Sequence, residues 1–175
     1  LAGFFVLGVS AWHLLRKQHV SMFRKAFAVA AVWTLVFSMF EIVQGHMSAE
    51  ILKDKQPAKL AAMESHWETA DEVPMHLLVW PDPENETNTI EAIRVPYLLS
   101  VLAGMKPSTR VIGLRDVPVY ERPPILATFL SFRAMVGLAF LFVAMSLWVF
   151  VKRKDPESSP LLLRILPWFI PLPYL

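Results

Sequence analysis

The sequence predicts an all-α membrane protein: a transmembrane helical bundle with one long extracytoplasmic loop that contains short helices. Apolar residues make up 55% of the 175-residue chain, whereas a soluble domain contains about 45–50%. They are also gathered into four segments rather than spread along the chain, which is typical of membrane spans. Basic residues flank two of the connections between these segments, as expected for loops on the cytoplasmic side.

The four apolar segments are expected to form two complete and two partial transmembrane helices. The complete helices cover residues 26–45 and 125–151, which are long enough to cross a hydrocarbon core of about 30 Å. Residues 1–15 are interpreted as the end of a helix that begins upstream. Residues 161–175 are interpreted as the start of another helix, which Pro167, Pro171 and Pro173 should distort.

The charges between the segments predict the orientation. Residues 16–25 contain four lysines and arginines and residues 152–160 contain three, so both stretches are placed in the cytoplasm. Two intervening spans then put residues 46–124 on the outer side of the membrane. This long loop has twelve acidic and eight basic residues, so its charge agrees with that placement.

The outer loop is expected to have structure of its own. Residues 49–67 favour a helix with a break at Pro57, and residues 75–88 favour a short apolar strand or turn followed by an acidic stretch. Residues 93–103 are apolar enough to pack on the membrane surface. Residues 106–124 carry four prolines and are interpreted as a loop.

The composition also excludes several kinds of chemistry. The chain has no cysteine, so disulfides, thiolate metal sites and cysteine nucleophiles are excluded within it. Its net charge of only +2 argues against nucleic acid as a partner. The five histidines have no compact metal-binding spacing, and we interpret them as structural or interfacial. Glu41 most simply reaches interfacial water, although a role in proton movement stays open.

The stretch QPAKLAAME is the first candidate site. If a helix begins at Pro57, its 100° rotation per residue places Gln56, Lys59 and Glu64 within an arc of about 140°. A carboxylate there can accept a proton from a bound hydroxyl group, and an ammonium group can stabilise the oxygen that becomes negative. The alternative interpretation is an ordinary amphipathic helix with solvated charges.

The stretch SFRAM, inside the third apolar segment, is the second candidate site. An arginine in a membrane span costs at least about 2.5 kcal/mol unless it finds a partner, so Arg133 should pair with an anionic group such as a haem propionate. Met135 lies about 200° further around the helix, and a methionine thioether can be an axial haem ligand. The alternatives are a snorkelling arginine and a methionine that packs or faces lipid.

Several stretches together resemble subunit I of the cytochrome bd quinol oxidases. They are FFVLGVSAWHLLR, GHMSAEILKDKQPAKLAAMESHWET, PDPENETN with the following IRVPYLLSVLA, and SFRAMVG. Their order matches the family across essentially the whole chain, and the loop length resembles the short-loop members. The QPAKLAAME stretch is the most specific of these motifs, whereas SFRAM supports the resemblance only in context.

The resemblance implies a subunit of a bacterial plasma-membrane terminal oxidase that oxidises quinol outside and passes electrons through haems to reduce dioxygen to water. It implies Lys59 and Glu64 as catalytic residues, with Gln56 beside them in the quinol site. It also implies Met135 as axial iron ligand of the low-spin haem b and Arg133 as a haem-binding residue. The complete subunit would carry a high-spin haem b and a third haem, d or b.

The implied partners are quinol, dioxygen, the lipid bilayer and a homologous membrane subunit II, and the complex can include small single-span subunits. The second axial ligand and the oxygen site would lie outside these 175 residues. Two other functions stay open at this point: a non-enzymatic membrane sensor or scaffold with an outer loop, and a transporter in which Arg133 and Glu41 line a path. A transporter usually has repeated halves, and the sequence has none.

Overall fold

The computed structural model describes residues 1–174, and most of them are helical. Six α-helices and one two-stranded sheet follow one another along the chain. They are α1 (Ala2–Leu15), α2 (Val20–Lys55), α3 (Pro57–Glu64), β1 (Met75–Asp82), β2 (Thr87–Val95), α4 (Leu98–Gly104), α5 (Ile125–Lys152) and α6 (Pro160–Ile165). The predicted helical fold class is confirmed, with a β-hairpin added within residues 46–124.

Two of these helices, α2 and α5, are long and apolar enough to cross a membrane. Few residues of their most apolar windows are buried against the rest of the chain. Apolar side chains that face outward along a helix of this length would be costly in water. These exposed apolar surfaces agree with a membrane protein. Helices α2 and α5 contain the two segments, residues 26–45 and 125–151, that were expected to form complete transmembrane helices.

The chain divides into two compact units, Leu1–Ile42 with Leu138–Leu175, and Val43–Gly137. The first unit has a core of aliphatic and aromatic side chains from both ends of the sequence. In it the ring of Phe4 lies 5.1 Å from that of Phe142 and 5.7 Å from that of Phe169, measured between centroids. These contacts join α1, α5 and the 3₁₀ turn Leu166–Phe169.

Gly8 allows the close packing inside this unit. A Cβ at this position would overlap the side chain of Ile170 and press on the carbonyl oxygen of Leu166. After α6 the backbone continues as 3₁₀ turns at Leu166–Phe169 and Leu172–Tyr174, as expected where prolines interrupt a helix. The expected fourth helix began at residue 161, and its residues up to 174 lie in α6 and in the turns that follow it. Leu175 lies outside the described residues.

In the second unit the long helix α2 stops where the sequence puts a proline. Gln56 has φ −142° and ψ 62°, since the ring of Pro57 disfavours a helical conformation in the residue before it. Proline is well suited to the first turn of a helix, and α3 starts at Pro57 itself. The break expected at Pro57 is therefore present, and it separates α3 from α2.

The β-hairpin follows α3. Strands β1 and β2 pair antiparallel, with Met75 opposite Val95 and Trp80 opposite Ile90, and an irregularity follows Trp80. Asp82 shapes the turn between them, because its carboxylate accepts hydrogen bonds from the side chain of Asn85 at 2.7 Å and from its backbone N–H at 3.3 Å. The first strand lies where the sequence favoured a strand or turn, whereas the second strand was not predicted.

Residues 93–103 were expected to pack on the membrane surface, and here the structure shows a different arrangement. Ile93 belongs to the end of β2, and the remaining apolar residues form α4. Two α4 side chains, Leu99 and Ala103, are buried in a small core with Leu60 and with two valines from neighbouring segments, Val73 and Val111. Two apolar residues of this stretch are thus used inside the loop itself, whereas Ile93 and Tyr97 remain exposed.

Candidate functional site

An ion pair between Glu64 and Arg133 joins the two candidate sites. Arg133 donates from Nη2 to Glu64 Oε2 at 2.8 Å and to the backbone carbonyl oxygen of His76 at 3.1 Å. Only 5% of the Glu64 side chain and 19% of the Arg133 side chain are exposed. The structure therefore gives Arg133 an anionic partner inside the chain, which was not predicted from the sequence.

Helix α3 puts Glu64 in this position because it buries one face. Leu60 and Glu64 are four residues apart and lie on the same side of the helix, and both are buried together with Ala61. The helix ends directly after Glu64, where Ser65 takes a left-handed conformation with φ 52°. The carboxylate thus projects from the last turn of a short, well-packed helix.

Burial changes the acidity of this carboxyl group. Removal from water raises the pKa of Glu64 from 4.5 to about 7, and the nearby Arg133 guanidinium lowers it in part. The cost of removing the charge from water therefore exceeds the attraction of the ion pair. Near neutral pH the group is divided between its protonated and ionised forms, which suits a residue that accepts and releases protons.

A partly buried asparagine, Asn88, fixes the end of α3 to the hairpin. The carbonyl oxygen of Asn88 accepts from Ser65 Oγ at 2.5 Å and from Trp67 Nε1 at 3.0 Å. Its amide group donates to the Ser65 carbonyl oxygen at 3.1 Å and to Glu91 at 2.7 Å. All the hydrogen-bonding capacity of this side chain is used, so Asn88 holds the backbone next to Glu64 in one position.

Two arginines make further contacts with the segment after α3 and with the hairpin turn. Arg115 donates to Glu68 at 2.6 Å and to the Glu86 carbonyl oxygen at 2.9 Å, and Arg122 pairs with the Glu86 carboxylate at 2.5 Å. The Arg122 side chain is the more buried of the two arginines, so its pair should contribute more. Gly113 permits the close approach, because a Cβ there would collide with backbone atoms of Trp67 and Glu68.

The other residues predicted for the first site lie apart from this ion pair. Gln56 and Lys59 are both exposed. Within the described residues 1–174, no ion pair includes Lys59. A rotation of about 140° separates Lys59 from Glu64 around α3. A ligand that contacts both must therefore reach from the solvent-facing side of the helix toward its buried face.

Met135 lies on α5, and 58% of its surface is exposed. Its sulfur is thus free to meet a group from outside this chain. The rotation of about 200° between positions 133 and 135 agrees with Arg133 turning toward Glu64 while Met135 does not. Among residues 1–174, no group of three or more His, Cys, Asp or Glu side chains is placed to hold a metal ion.

His66 is a residue that the sequence interpretation treated as merely structural. Its ring is largely buried, which lowers the pKa of His66, and its Nε2 atom has no hydrogen-bond partner in the part of the chain that the structure describes. It lies two residues after Glu64 in the sequence. The sequence shows that His66 is close to Glu64 along the chain. It does not show the burial that keeps the imidazole neutral.

Comparison with known proteins decides the family. A family model described as cytochrome bd terminal oxidase subunit I matches residues 1–175. The chain belongs to the cytochrome bd terminal oxidase subunit I family. The resemblance seen in the sequence is therefore confirmed over the whole chain.

Curated relatives agree with this assignment. The chain is 37% identical to cytochrome bd ubiquinol oxidase subunit 1 of Bacillus subtilis, over 98% of this chain and 39% of the relative. It is 36% identical to a putative cytochrome bd menaquinol oxidase subunit I of the same organism, over 91% of this chain and 38% of that relative. It is also 33% identical to cytochrome bd-II ubiquinol oxidase subunit 1 of Escherichia coli, over 68% and 23%.

A solved structure shows the same fold. The bd oxidase of Geobacillus thermodenitrificans matches with a TM-score of 0.79 and 28% identity, over 95% of this chain and 39% of that chain. The 175 residues thus span about two fifths of the Bacillus and Geobacillus subunits that they match, and 23% of the Escherichia coli subunit.

The chain offers two groups that fit a haem of the kind that this family implies. Met135 presents a thioether on an exposed helix surface, and such a sulfur can ligate haem iron. Arg133 uses Nη2 for Glu64 and His76, while its Nε atom is buried and has no acceptor among residues 1–174. A buried, unpaired N–H is costly, and a haem propionate is one acceptor that would remove the cost.

The ion pair predicts a shift in the acidity of Glu64. Arg133→Gln removes the positive charge that lowers the pKa of Glu64, so that this pKa should rise above about 7. The protonated carboxyl band in the infrared spectrum of the purified oxidase should then persist to higher pH. The band is assigned by its loss in Glu64→Gln. Arg115→Gln, which removes an arginine paired with Glu68, is the control, and equal titration in both arginine variants would contradict the assigned role.

Proposed function

We propose that this chain forms the quinol-oxidising part of subunit I in a cytochrome bd type terminal oxidase, which passes electrons from quinol to dioxygen and forms water. The observation that carries the proposal is the buried carboxyl group of Glu64, whose pKa is raised to about 7 while Arg133 holds it in place. Relatives of the chain are named as ubiquinol and menaquinol oxidase subunits, which supports a quinol as the substrate.

Oxidation of one quinol to quinone releases two electrons and two protons, so the site must accept protons while the electrons leave. Ionised Glu64 accepts the proton of one hydroxyl group, and Arg133 keeps the carboxylate oriented toward it. The Lys59 ammonium group stabilises the oxygen that gains negative charge, and Gln56 contributes a hydrogen bond at the exposed end of the site. As the pH rises through about 7 the ionised fraction of Glu64 increases, so proton acceptance becomes easier.

The electrons need an acceptor close to the site. Met135 would hold the iron of the low-spin haem b on α5, and Arg133 would bind one of its propionates through Nε. When bound, this haem accepts the electrons of quinol one at a time. The high-spin haem b, the third haem and the oxygen-reducing site belong to the remaining parts of the complete subunit. Four electrons, and therefore two quinols, are needed for each dioxygen reduced to water.

The proposed setting is the bacterial plasma membrane, in a complex with a homologous subunit II and small single-span subunits. The basic connections at residues 16–25 and 152–160 support a cytoplasmic position for those loops, which places residues 46–124 outside. Protons released from quinol there add to the transmembrane gradient. In a cysteine-free background, Asp82→Cys in the exposed hairpin turn should react with a membrane-impermeant thiol reagent in intact cells. Labelling only after the membrane is permeabilised would reverse the orientation.

Substitutions in the outer loop test the catalytic assignments. Since a general base typically contributes 10²–10⁴-fold, Glu64→Gln should reduce quinol-driven oxygen uptake by about 100-fold or more, and Lys59→Ala by about 10-fold. Glu84→Gln, at the exposed hairpin turn, should have no effect. Glutamine is used at position 64 because it retains an oxygen that can accept from Arg133.

Two controls separate catalysis from assembly in these variants. Haem content should be unchanged, because the proposed iron ligand lies on α5 and not in the loop. Oxygen uptake driven by an artificial donor that reduces the haems directly should also be retained. If Glu64→Gln and Lys59→Ala behave like Glu84→Gln, the QPAKLAAME stretch is only an amphipathic helix and quinol is oxidised elsewhere.

The haem assignment has a spectroscopic test. Met135→Leu preserves the volume of the side chain but removes the sulfur, so the reduced-minus-oxidised signal of low-spin haem b should shift or disappear. Met145→Leu is the matched control, since Met145 lies on the same helix but is buried in the core of the first unit. An unchanged low-spin signal in Met135→Leu would exclude this methionine as the ligand.

A further inference from the structure

A groove runs along the first turns of α2 and past the end of α5, within the first unit. Its volume is about 1010 Å³, which is comparable to that of a large ligand pocket. One end of the groove is lined by four cationic side chains, and the rest is lined mainly by apolar ones. The cations are Arg24, Lys25, Arg153 and Lys154.

The positive charge of this end is only partly compensated. Arg24 pairs with Glu157 at 2.7 Å. Arg153 lies over the ring of Phe150, with 3.8 Å between its guanidinium carbon and the ring centroid, and donates to the Phe150 carbonyl oxygen at 2.8 Å. Within residues 1–174, neither Lys25 nor Lys154 takes part in an ion pair. The groove thus keeps an excess of positive charge that an anion can neutralise.

The apolar wall continues directly from these charges along α2. Val32 and Trp33 lie three and four residues after Val29, so the three side chains share one face of the helix. Val29 and Trp33 are 59% and 57% exposed, and the ring of Trp33 stacks on that of Phe37 with centroids 5.6 Å apart. From Arg24 to Trp33 the helix rises about 13 Å, a distance over which an acyl chain can lie against it.

We propose that this groove binds an anionic phospholipid. Its phosphate lies among the four cations, and its acyl chains lie on the face formed by Val29, Val32 and Trp33. Basic pockets at the ends of membrane helices bind acidic lipid headgroups by this combination of charge and apolar surface, and tryptophan is common where hydrocarbon meets headgroups. A polypeptide on the same surface would need several carboxylates in register with the cations. One phospholipid carries an anionic headgroup followed by acyl chains, which is the order in which the cations and the apolar face follow each other along α2.

Lipid retention by the purified oxidase that contains this chain provides the test. The complex is reconstituted with phosphatidylglycerol or phosphatidylcholine of identical acyl composition, and bound lipid is counted by native mass spectrometry. The wild type should retain one more phosphatidylglycerol than Lys25→Gln/Lys154→Gln, with no such difference for phosphatidylcholine. Lys53→Gln/Lys106→Gln, which removes the same charge from the second unit, should retain as much as the wild type. Equal retention by both double variants overturns the proposal.

A second measurement keeps the proposal testable if the lysine variant fails to assemble. A photoreactive amino acid at position 29 should form a cross-link to phospholipid, and the yield should fall at least about fivefold when phosphatidylglycerol is replaced by phosphatidylcholine. Inorganic phosphate should not compete, because it lacks acyl chains that can contact the wall. A cross-link to polypeptide, either from the rest of this subunit or from another, would show that a protein segment covers the groove and would overturn the proposal.

Discussion

The buried ion pair between Glu64 and Arg133 is the constraint on which the long loop of residues 46–124 depends. Two charges removed from water lose hydration energy that their mutual attraction repays only when geometry and additional hydrogen bonds are favourable. Arg133 satisfies this condition in part, since it also donates to the His76 carbonyl oxygen. Loss of one partner from such a pair typically costs about 3–5 kcal/mol. The surrounding structure must therefore keep both groups in place.

Each element around Glu64 helps to keep its carboxylate in place. Pro57 ends α2 and starts a new helix, and Leu60 anchors that helix in a small core. Ser65 then ends the helix in a left-handed conformation, and Asn88 holds this end through three hydrogen bonds, two with Ser65 and one with Trp67. These features leave the carboxylate little freedom to move toward solvent. The raised pKa of Glu64 follows from that restraint, because a mobile side chain would rehydrate and return to its ordinary acidity.

Most of the helical architecture could be predicted because it depends on local properties of the sequence. Length and apolar composition are enough to locate the two long apolar helices, α2 and α5, and proline geometry alone places the break at Pro57. Helix α2 continues to Lys55, beyond the expected boundary at residue 45, because the residues that follow the apolar segment still favour a helix. The expected boundaries thus described the apolar core of a longer helix.

The features that were missed depend on contacts between distant residues. Strand β2 has largely exposed side chains on both faces, so its sequence lacks the apolar alternation that marks a half-buried strand. Asn88 contacts Ser65 across 23 positions, and Arg133 contacts Glu64 across 69. No local pattern in the sequence indicates that residues so far apart are in contact. The sequence could identify Glu64 and Arg133 as unusual, but it could not show that each is the partner of the other.

The pairing changes how the two candidate sites relate to each other. The Glu64 carboxyl group and the SFRAM stretch of α5 were separate features in the sequence, and the guanidinium group of Arg133, which belongs to the second, contacts the first. Arg133 and Met135 leave α5 on different sides, so the helix turns one side chain toward Glu64 and leaves the other exposed. Under the proposed function, protonation of Glu64 removes the negative charge that the Arg133 guanidinium group contacts, so the strength of this pair depends on the protonation state of the proton acceptor.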